Sequence, residues 1–563
     1  MNKILNTLYY YGLLTIIMSA FTMTSNAQNL NVPLDSRAAE LMDKWTIQGF
    51  GQGLHNEIKP FQRNDLATLC QRVDTLGNSG DKADVKYAQL DNLEFSSPTI
   101  QQDSFRNRKP ILKYFYKTPS EFLSVKSDHF YLKLNPILNF SAGKEQANTN
   151  NIIENQRGLE LRGGIDNKVY FYSQLLESQV SYVQYLTDRV NRFQAIMGNG
   201  FYKNYTSKPF KVTEGYDFNN ANAYIGFNIS KHIGAQFGYG KNFIGNGIRS
   251  LLLSDFANNY LYLKLNTHIG KFHYQNIFGE LAAAGARDDI GDALIPKKYF
   301  AAHYLSYAFN KNWNAGFFET VVFSRKDHFE FQYLNPVILY RTVEGALGSP
   351  DNVLVGFNFS GNLFKSVQLY GQVMLDEFIF KELVTNNRGW WGNKYGLQGG
   401  IKYINALGIR NLDLQLEANL VTPYTYSHSD SLANYSHYNQ ALAHPLGANF
   451  IEMIGKFQYK ISKLTLQCWV HAYQQGLNTS TENWGENILE SNANRLMEYD
   501  NKLLQGAKTS VKRITLRADY EFYHNMKFFA EYTNRKQSGV ITQNLNYIGA
   551  GLSVNFWWKP QLL

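Results

Sequence analysis

No run of 18 or more uninterrupted apolar residues occurs between Gln28 and Leu563, and mean hydropathy is −0.35, which excludes membrane-spanning helices there. Spanning strands stay allowed, because half of their residues are polar. Only two cysteines are present among 563 residues, too few for a disulfide framework. His, Cys, Asp and Glu nowhere gather at ligand spacing, so no metal site is expected. A G-x-S-x-G turn, a Ser, His and acid set in one register, and placeable paired carboxylates are all missing, which argues against an enzyme. A compact basic cluster is missing too, so nucleic acid is not an expected partner.

What is present is alternation. In Leu412 to Leu420 every even residue is apolar and every odd one is Asp, Gln, Glu or Asn, a period of two that gives one face to lipid and one to water. Tyr260 to Asn266 and Ile514 to Phe522 repeat the pattern, with Lys264, Arg517 and Asp519 on the wet side. About 18 such segments run from Phe130 to Phe556 and imply an all-β, antiparallel transmembrane barrel. Eight hairpin turns are expected around Asp166-Asn167, Ser230-Lys231, Thr267-His268, Asn310-Lys311, Gly361-Asn362, Asn405-Ala406, Ile461-Ser462 and His524-Asn525. Long connections are expected near 142–157, 180–221, 244–257, 281–298, 325–352, 376–393, 422–449, 476–510 and 536–545, all on the outer side of the membrane. A soluble sandwich also alternates, but its connections would not sort into short and long. Inward charges of both signs, including Glu160, Arg162, Asp413 and Glu417, favour ion pairs across a narrow or plugged lumen.

Ahead of the barrel, Tyr9 to Phe21 with Lys3 before it and Ser25-Asn26-Ala27 after it reads as a signal peptide over residues 1–27. No Cys near that site would carry a lipid anchor. Net charge is +9, or +8 without Lys3. Residues 28–125 lack alternation and predict three short helices, capped first by Asp35 and Ser36, then starting near Pro60 and near Asp84. They form a small periplasmic helical domain, and residues 126–563 form the barrel, with both termini periplasmic. Cys70 falls on one of these helices and Cys468 on the lipid face of a strand, so two free thiols are expected.

Three segments carry a resemblance: Lys59-Pro60-Phe61-Gln62-Arg63 with the helix after it, Gly240 to Ser254, and Phe331-Gln332-Tyr333-Leu334-Asn335-Pro336. With the strand count and the helical N-terminus, they make the chain similar to the Wzi family of capsule-assembly outer-membrane barrels, in its Bacteroidota branch with the gliding-motility relatives called RemB. The resemblance implies a surface lectin that retains capsular polysaccharide or exopolysaccharide, in a barrel occluded by helices and loops. Gly551 to Phe556 also resembles an outer-membrane assembly signal, followed here by the tail Trp557 to Leu563.

Aromatics reach 15% of the chain, enough for girdles at both membrane interfaces and for stacking on sugar rings. The stacking candidates are Trp390 and Trp391 in one connection, and Tyr424, Tyr426, Tyr435 and Tyr438 in another. Gly245-Asn246-Gly247 with Arg249 could offer amides and a cation to an anionic sugar, or only shape a loop. Expected partners are surface polysaccharide, outer-membrane lipid and lipopolysaccharide, or protein partners in gliding or secretion. No cofactor is expected, and a channel is the third reading.

Overall fold

The computed structural model describes residues 30–563 except 77–81, 94–105, 108–109, 112, 147, 167, 285–293, 326–327, 349–350, 387 and 561. The expected signal peptide lies outside the described residues.

Eighteen antiparallel strands close into a barrel. They are β1 Phe130–Glu145, β2 Asn151–Ile165, β3 Val169–Val180, β4 Val212–Asn228, β5 Ile233–Gly240, β6 Tyr260–Ile269, β7 Phe272–Ala282, β8 Lys297–Ala308 and β9 Trp313–Phe323. The other nine are β10 Asn352–Leu363, β11 Val367–Leu375, β12 Tyr395–Tyr403, β13 Leu412–Val421, β14 Phe450–Ile461, β15 Leu464–Leu477, β16 Ala507–Tyr523, β17 Met526–Gly539 and β18 Gln543–Val554. Side-chain direction follows the two-residue period: Leu416 and Leu466 face out, while Glu417, Arg517 and Asp519 are buried toward the lumen. Cys70 and Cys468 are free thiols, and Leu466 and Val470, two residues to either side of Cys468, are exposed on the outer wall.

The seam has two parts. β18 pairs with the second half of β1, Leu138 to Glu145, while Leu123–Lys126 pairs with the first half, Tyr131 to Leu134. Residues just before the expected boundary at 126 therefore belong to the barrel wall.

Two turns fall three residues later than expected, at Gly270-Lys271 and Phe364-Lys365-Ser366, because each strand keeps alternating past the polar pair that looked like a turn. The connections expected at 142–157 and 536–545 are short: β1 and β2 join through residues 146–150, β17 and β18 through 540–542. These strands simply continue beyond the apolar band.

The N-terminal region holds α1 Arg37–Ile47, α2 Arg63–Leu76 and α3 Lys82–Asp91. Ser36 caps α1 by accepting the Ala39 N–H, and Ala38, Leu41, Met42 and Trp45 pack against Leu66, Leu69, Val73 and Val85 of the other two helices. The second helix starts at Arg63, after a cis Lys59-Pro60 bond, rather than at Pro60. This small core sits in the mouth at the short-turn end and is tied to the wall by ions: Arg37 to Glu521 at 2.8 Å, Asp43 to Lys402 at 2.9 Å, Glu40 to Lys456 at 2.7 Å and Asp84 to Lys460 at 3.2 Å.

From the long-loop end, residues 241–259 descend into the lumen. Phe243 and Ile244 pair with Lys59 and Ile58, so the two inserts meet as a short antiparallel ladder inside the barrel. Ile244, Leu251, Leu252 and Leu253 form an apolar core with Ile58 and the inward faces of Phe300, Tyr304 and Phe318. The tail after β18 turns inward as well: Leu562 and Leu563 are buried, and their carbonyls accept from Arg249 and Arg535.

The connection between β9 and β10 goes the other way. It contains α4 Tyr340–Leu347 and folds over the outside of the barrel, where Tyr333, Tyr340 and Val343 pack on the outward-facing Phe278, Tyr299, Ala301, Val321 and Val353. Of the long connections expected on the outer side of the membrane, 241–259 instead enters the lumen and the one between β9 and β10 covers the wall.

Candidate functional site

Three connections at the long-loop end converge. Residues 376–394 and 478–506 are joined by backbone hydrogen bonds, from Trp391 N–H to Glu498 O at 3.0 Å, Asp500 N–H to Arg388 O at 2.8 Å and Asn501 N–H to Gly389 O at 2.9 Å. Gly389 has φ +65°, and a Cβ there would lie 2.6 Å from Asn501 O, so only glycine permits this approach.

The ladder places Trp390 and Trp391 side by side, ring centroids 6.0 Å apart. One carboxylate oxygen of Glu498 accepts both indole N–H groups, at 3.1 Å and 3.0 Å, and the other accepts from Arg495 at 2.6 Å. The Arg495 hydrogen bonds, with those from the two indoles, hold the Glu498 carboxyl below its usual range. The Arg495 guanidinium lies 4.2 Å from the centre of the Trp391 ring, and Arg388 lies 4.2 Å from that of Tyr499. Both tryptophans are half-buried, their edges fixed and part of their faces open. Beneath them the Lys394 ammonium is fully enclosed, 3.0 Å from Asp376 and 3.3 Å from Glu377, and donates to Ser427 O. Burial pushes the Asp376 carboxyl up to about 6.

The tyrosines named from sequence lie below this platform. Tyr424 is buried, edge-on to Trp391, and its hydroxyl donates to Asn483 O at 2.8 Å. Tyr426 and Tyr435 are fully buried and stacked, 5.9 Å apart, with hydroxyls donating to Leu251 O and Leu252 O at 2.8 Å. Tyr438 is buried beside His437. Enclosed rings with spent hydroxyls hold the connection 422–449 onto the lumen plug. Asn246 is likewise buried, bonded to Asn56 and Asn358, and the Arg249 side chain contacts Glu452 and Leu562 O while its N–H joins that of Ile248 on Glu417. Of the eight residues named from sequence, Trp390 and Trp391 alone form an accessible pair. Glu498, Arg495, Arg388 and Tyr499 were missed: Glu498, Arg495 and Tyr499 lie more than a hundred positions from the tryptophans and carry no local signal of joining them, and Arg388 finds its aromatic partner only in that distant connection.

No family model matches the sequence, and no curated protein does. Among solved structures the chain is similar to Wzi of Escherichia coli, described as an outer membrane protein involved in group 1 capsule assembly and a carbohydrate-binding β-barrel. The match has a TM-score of 0.57 and 13% identity, over 94% of this chain and 100% of that one. The fold is Wzi-like. OccK8 (OprE) of Pseudomonas aeruginosa matches at a TM-score of 0.40 and 9% identity, over 75% of this chain and 97% of that one. OprD of the same organism gives 0.39 and 10%, over 75% and 95%. Wzi and OprD are both described as outer membrane proteins.

Proposed function

We propose that this protein is a non-enzymatic outer-membrane barrel that binds and retains capsular polysaccharide or exopolysaccharide at the cell surface. The supporting observation is the Trp390-Trp391 pair, held by Glu498 at the long-loop end of a barrel filled from both sides. The C–H face of a pyranose packs on an indole plane, and Asp500 and Arg388, joined through their backbones in the ladder that carries the pair, offer polar groups for its hydroxyls. A repeating polymer would engage several copies of such a weak site at once, so modest contacts add through effective concentration into firm retention. The helical region and both termini would then lie in the periplasm, and lipopolysaccharide would surround the platform.

The test is the partition of surface polysaccharide between cells and medium in a deletion strain, complemented with the native chain or with a Trp390→Ala, Trp391→Ala double variant. More polymer shed at equal production, restored by the native chain alone, supports the reading. Unchanged partition rejects it.

One observation favours a second reading, an accessory of gliding or secretion like the RemB relatives of Bacteroidota. Phe378, Ile379 and Phe380, in the same connection as the tryptophans, are exposed and apolar, which suits a protein partner better than a sugar.

A further inference from the structure

The outer-wall element is built too carefully for a loose loop. Its neck is closed by Arg325, whose guanidinium donates to both Asp351 oxygens at 2.9 Å and 2.7 Å, with the Tyr333 hydroxyl on the same carboxylate. Below the neck it covers a cross-strand row of outward residues on three adjacent strands, Asn276, His303 and Glu319. His303 Nε2 lies 2.9 Å from Glu319, and the Tyr340 ring stacks on His303 at 4.5 Å. The first turn of α4 aims the Tyr340 and Arg341 N–H groups at the Glu319 carboxylate, at 3.0 Å and 3.1 Å. Asn276 and Tyr274 both donate to Pro336 O. Glu319, Asn276 and Tyr274 thus find partners in the covering segment, while His303 pairs with Glu319 on the next strand.

Depth follows from register. Tyr274 is two residues above Phe272, where β7 leaves the short turn, so Pro336 lies within roughly 10 Å of that end at about 3.4 Å per residue. Tyr274 pairs with Leu305, Leu305 with Phe317 and Phe317 with Phe357, a row of the apolar outer band in which Leu305 and Phe357 are exposed. The segment starts and ends at the long-loop end and reaches almost to the other. Its outward side shows Phe331, Leu334, Val337 and Leu339, with Phe331 and Val337 79% and 80% exposed. The charged Arg341 and Glu344 of its helix pair with each other at 2.7 Å.

We propose that residues 329–347 form a re-entrant element buried in the bilayer, with Phe331, Leu334, Val337 and Leu339 in contact with lipid acyl chains. In hydrocarbon, strands carrying Asn276, His303 and Glu319 could not stand bare, and the element supplies hydrogen-bond partners to Asn276 and Glu319 and the Tyr340 ring to His303 while continuing the apolar band on its own outer face. The proposal rests on the barrel spanning a membrane.

The test uses the full chain in phosphatidylcholine vesicles. Cys468→Ala removes the outer-wall thiol, and Cys70 is retained because burial pushes its thiol up to about 12. A nitroxide is then placed at Val337→Cys, with Leu305→Cys as the lipid reference, Lys502→Cys as the water reference and Phe331→Cys as an independent repeat. The expected result is that oxygen outcompetes a water-soluble nickel chelate as collider several-fold at 337 and 331, matching 305 and opposite to 502. A ratio like that of 502 would overturn the proposal by placing the element in water. Protection from both colliders would overturn it in favour of a protein neighbour. A water-like ratio at 305 itself would instead reject the membrane-spanning reading.

Discussion

The Gly245 N–H donates to the Glu57 carbonyl at 2.7 Å, which joins a connection from one end of the barrel to the segment inserted from the other. The junction lies in an apolar core with Ile58 and Ile244, which fills that side of the lumen. The native protein is therefore expected to give no stepwise conductance in planar bilayers. Ile58→Asp would place a carboxylate in that core at a cost of several kcal/mol and part the ladder, so conductance steps should appear. Steps from the native protein would contradict a closed lumen.

Truncating either indole should weaken glycan binding without unfolding the barrel. Trp390→Ala and Trp391→Ala are each expected to cost about 1 kcal/mol, roughly fivefold in Kd, by affinity electrophoresis on surface polysaccharide. Glu498→Gln keeps one acceptor oxygen and loses the charge facing Arg495, so its effect should be smaller than that of the double tryptophan variant.

Stability is expected to respond most at Glu452. Its buried carboxylate meets His444 at 2.7 Å, His471 at 2.8 Å, Arg249 at 3.2 Å and Asn419 at 2.9 Å. Glu452→Gln strands the guanidinium, for a loss of about 3 kcal/mol or more in heat or urea unfolding. Glu498→Gln, out in solvent, should leave the midpoint nearly unchanged.

Burial raises the Asp65 carboxyl to about 6, from 3.8 in the unfolded chain. The folded state then binds the proton more tightly, so this group costs stability progressively as pH rises from about 4 to about 6, and the cost stays constant above that. Asp65→Asn should raise the unfolding midpoint at pH 8, by about 1–2 kcal/mol, and give little gain at pH 4. An equal gain at both pH values would assign the effect to packing.

The barrel was legible because its two faces meet different solvents: Leu412 to Leu420 must alternate wherever the chain turns. Turn positions near Thr267 and Gly361 were less legible, since polar residues also occupy the lumen side of a strand that has not ended. The tyrosines misled for a related reason. Tyr426 and Tyr435 share with Trp390 and Trp391 an aromatic ring in a polar connection, and only the fold of residues 241–259 decides which rings are enclosed. The outer-wall segment gave a sequence signal, Phe331 to Pro336, with nothing in it to reveal which side of the barrel it would take.

The divided seam separates two costs of closure. Leu123–Lys126 reaches β1 across a turn of three residues, a local event with little chain to organise, whereas β18 must return across nearly the whole barrel to meet Leu138 to Glu145. One half of the join can form as soon as its residues exist, and the other must wait for every strand between. The early half is thus a docking edge that marks, from the first strand onward, where the last one has to arrive.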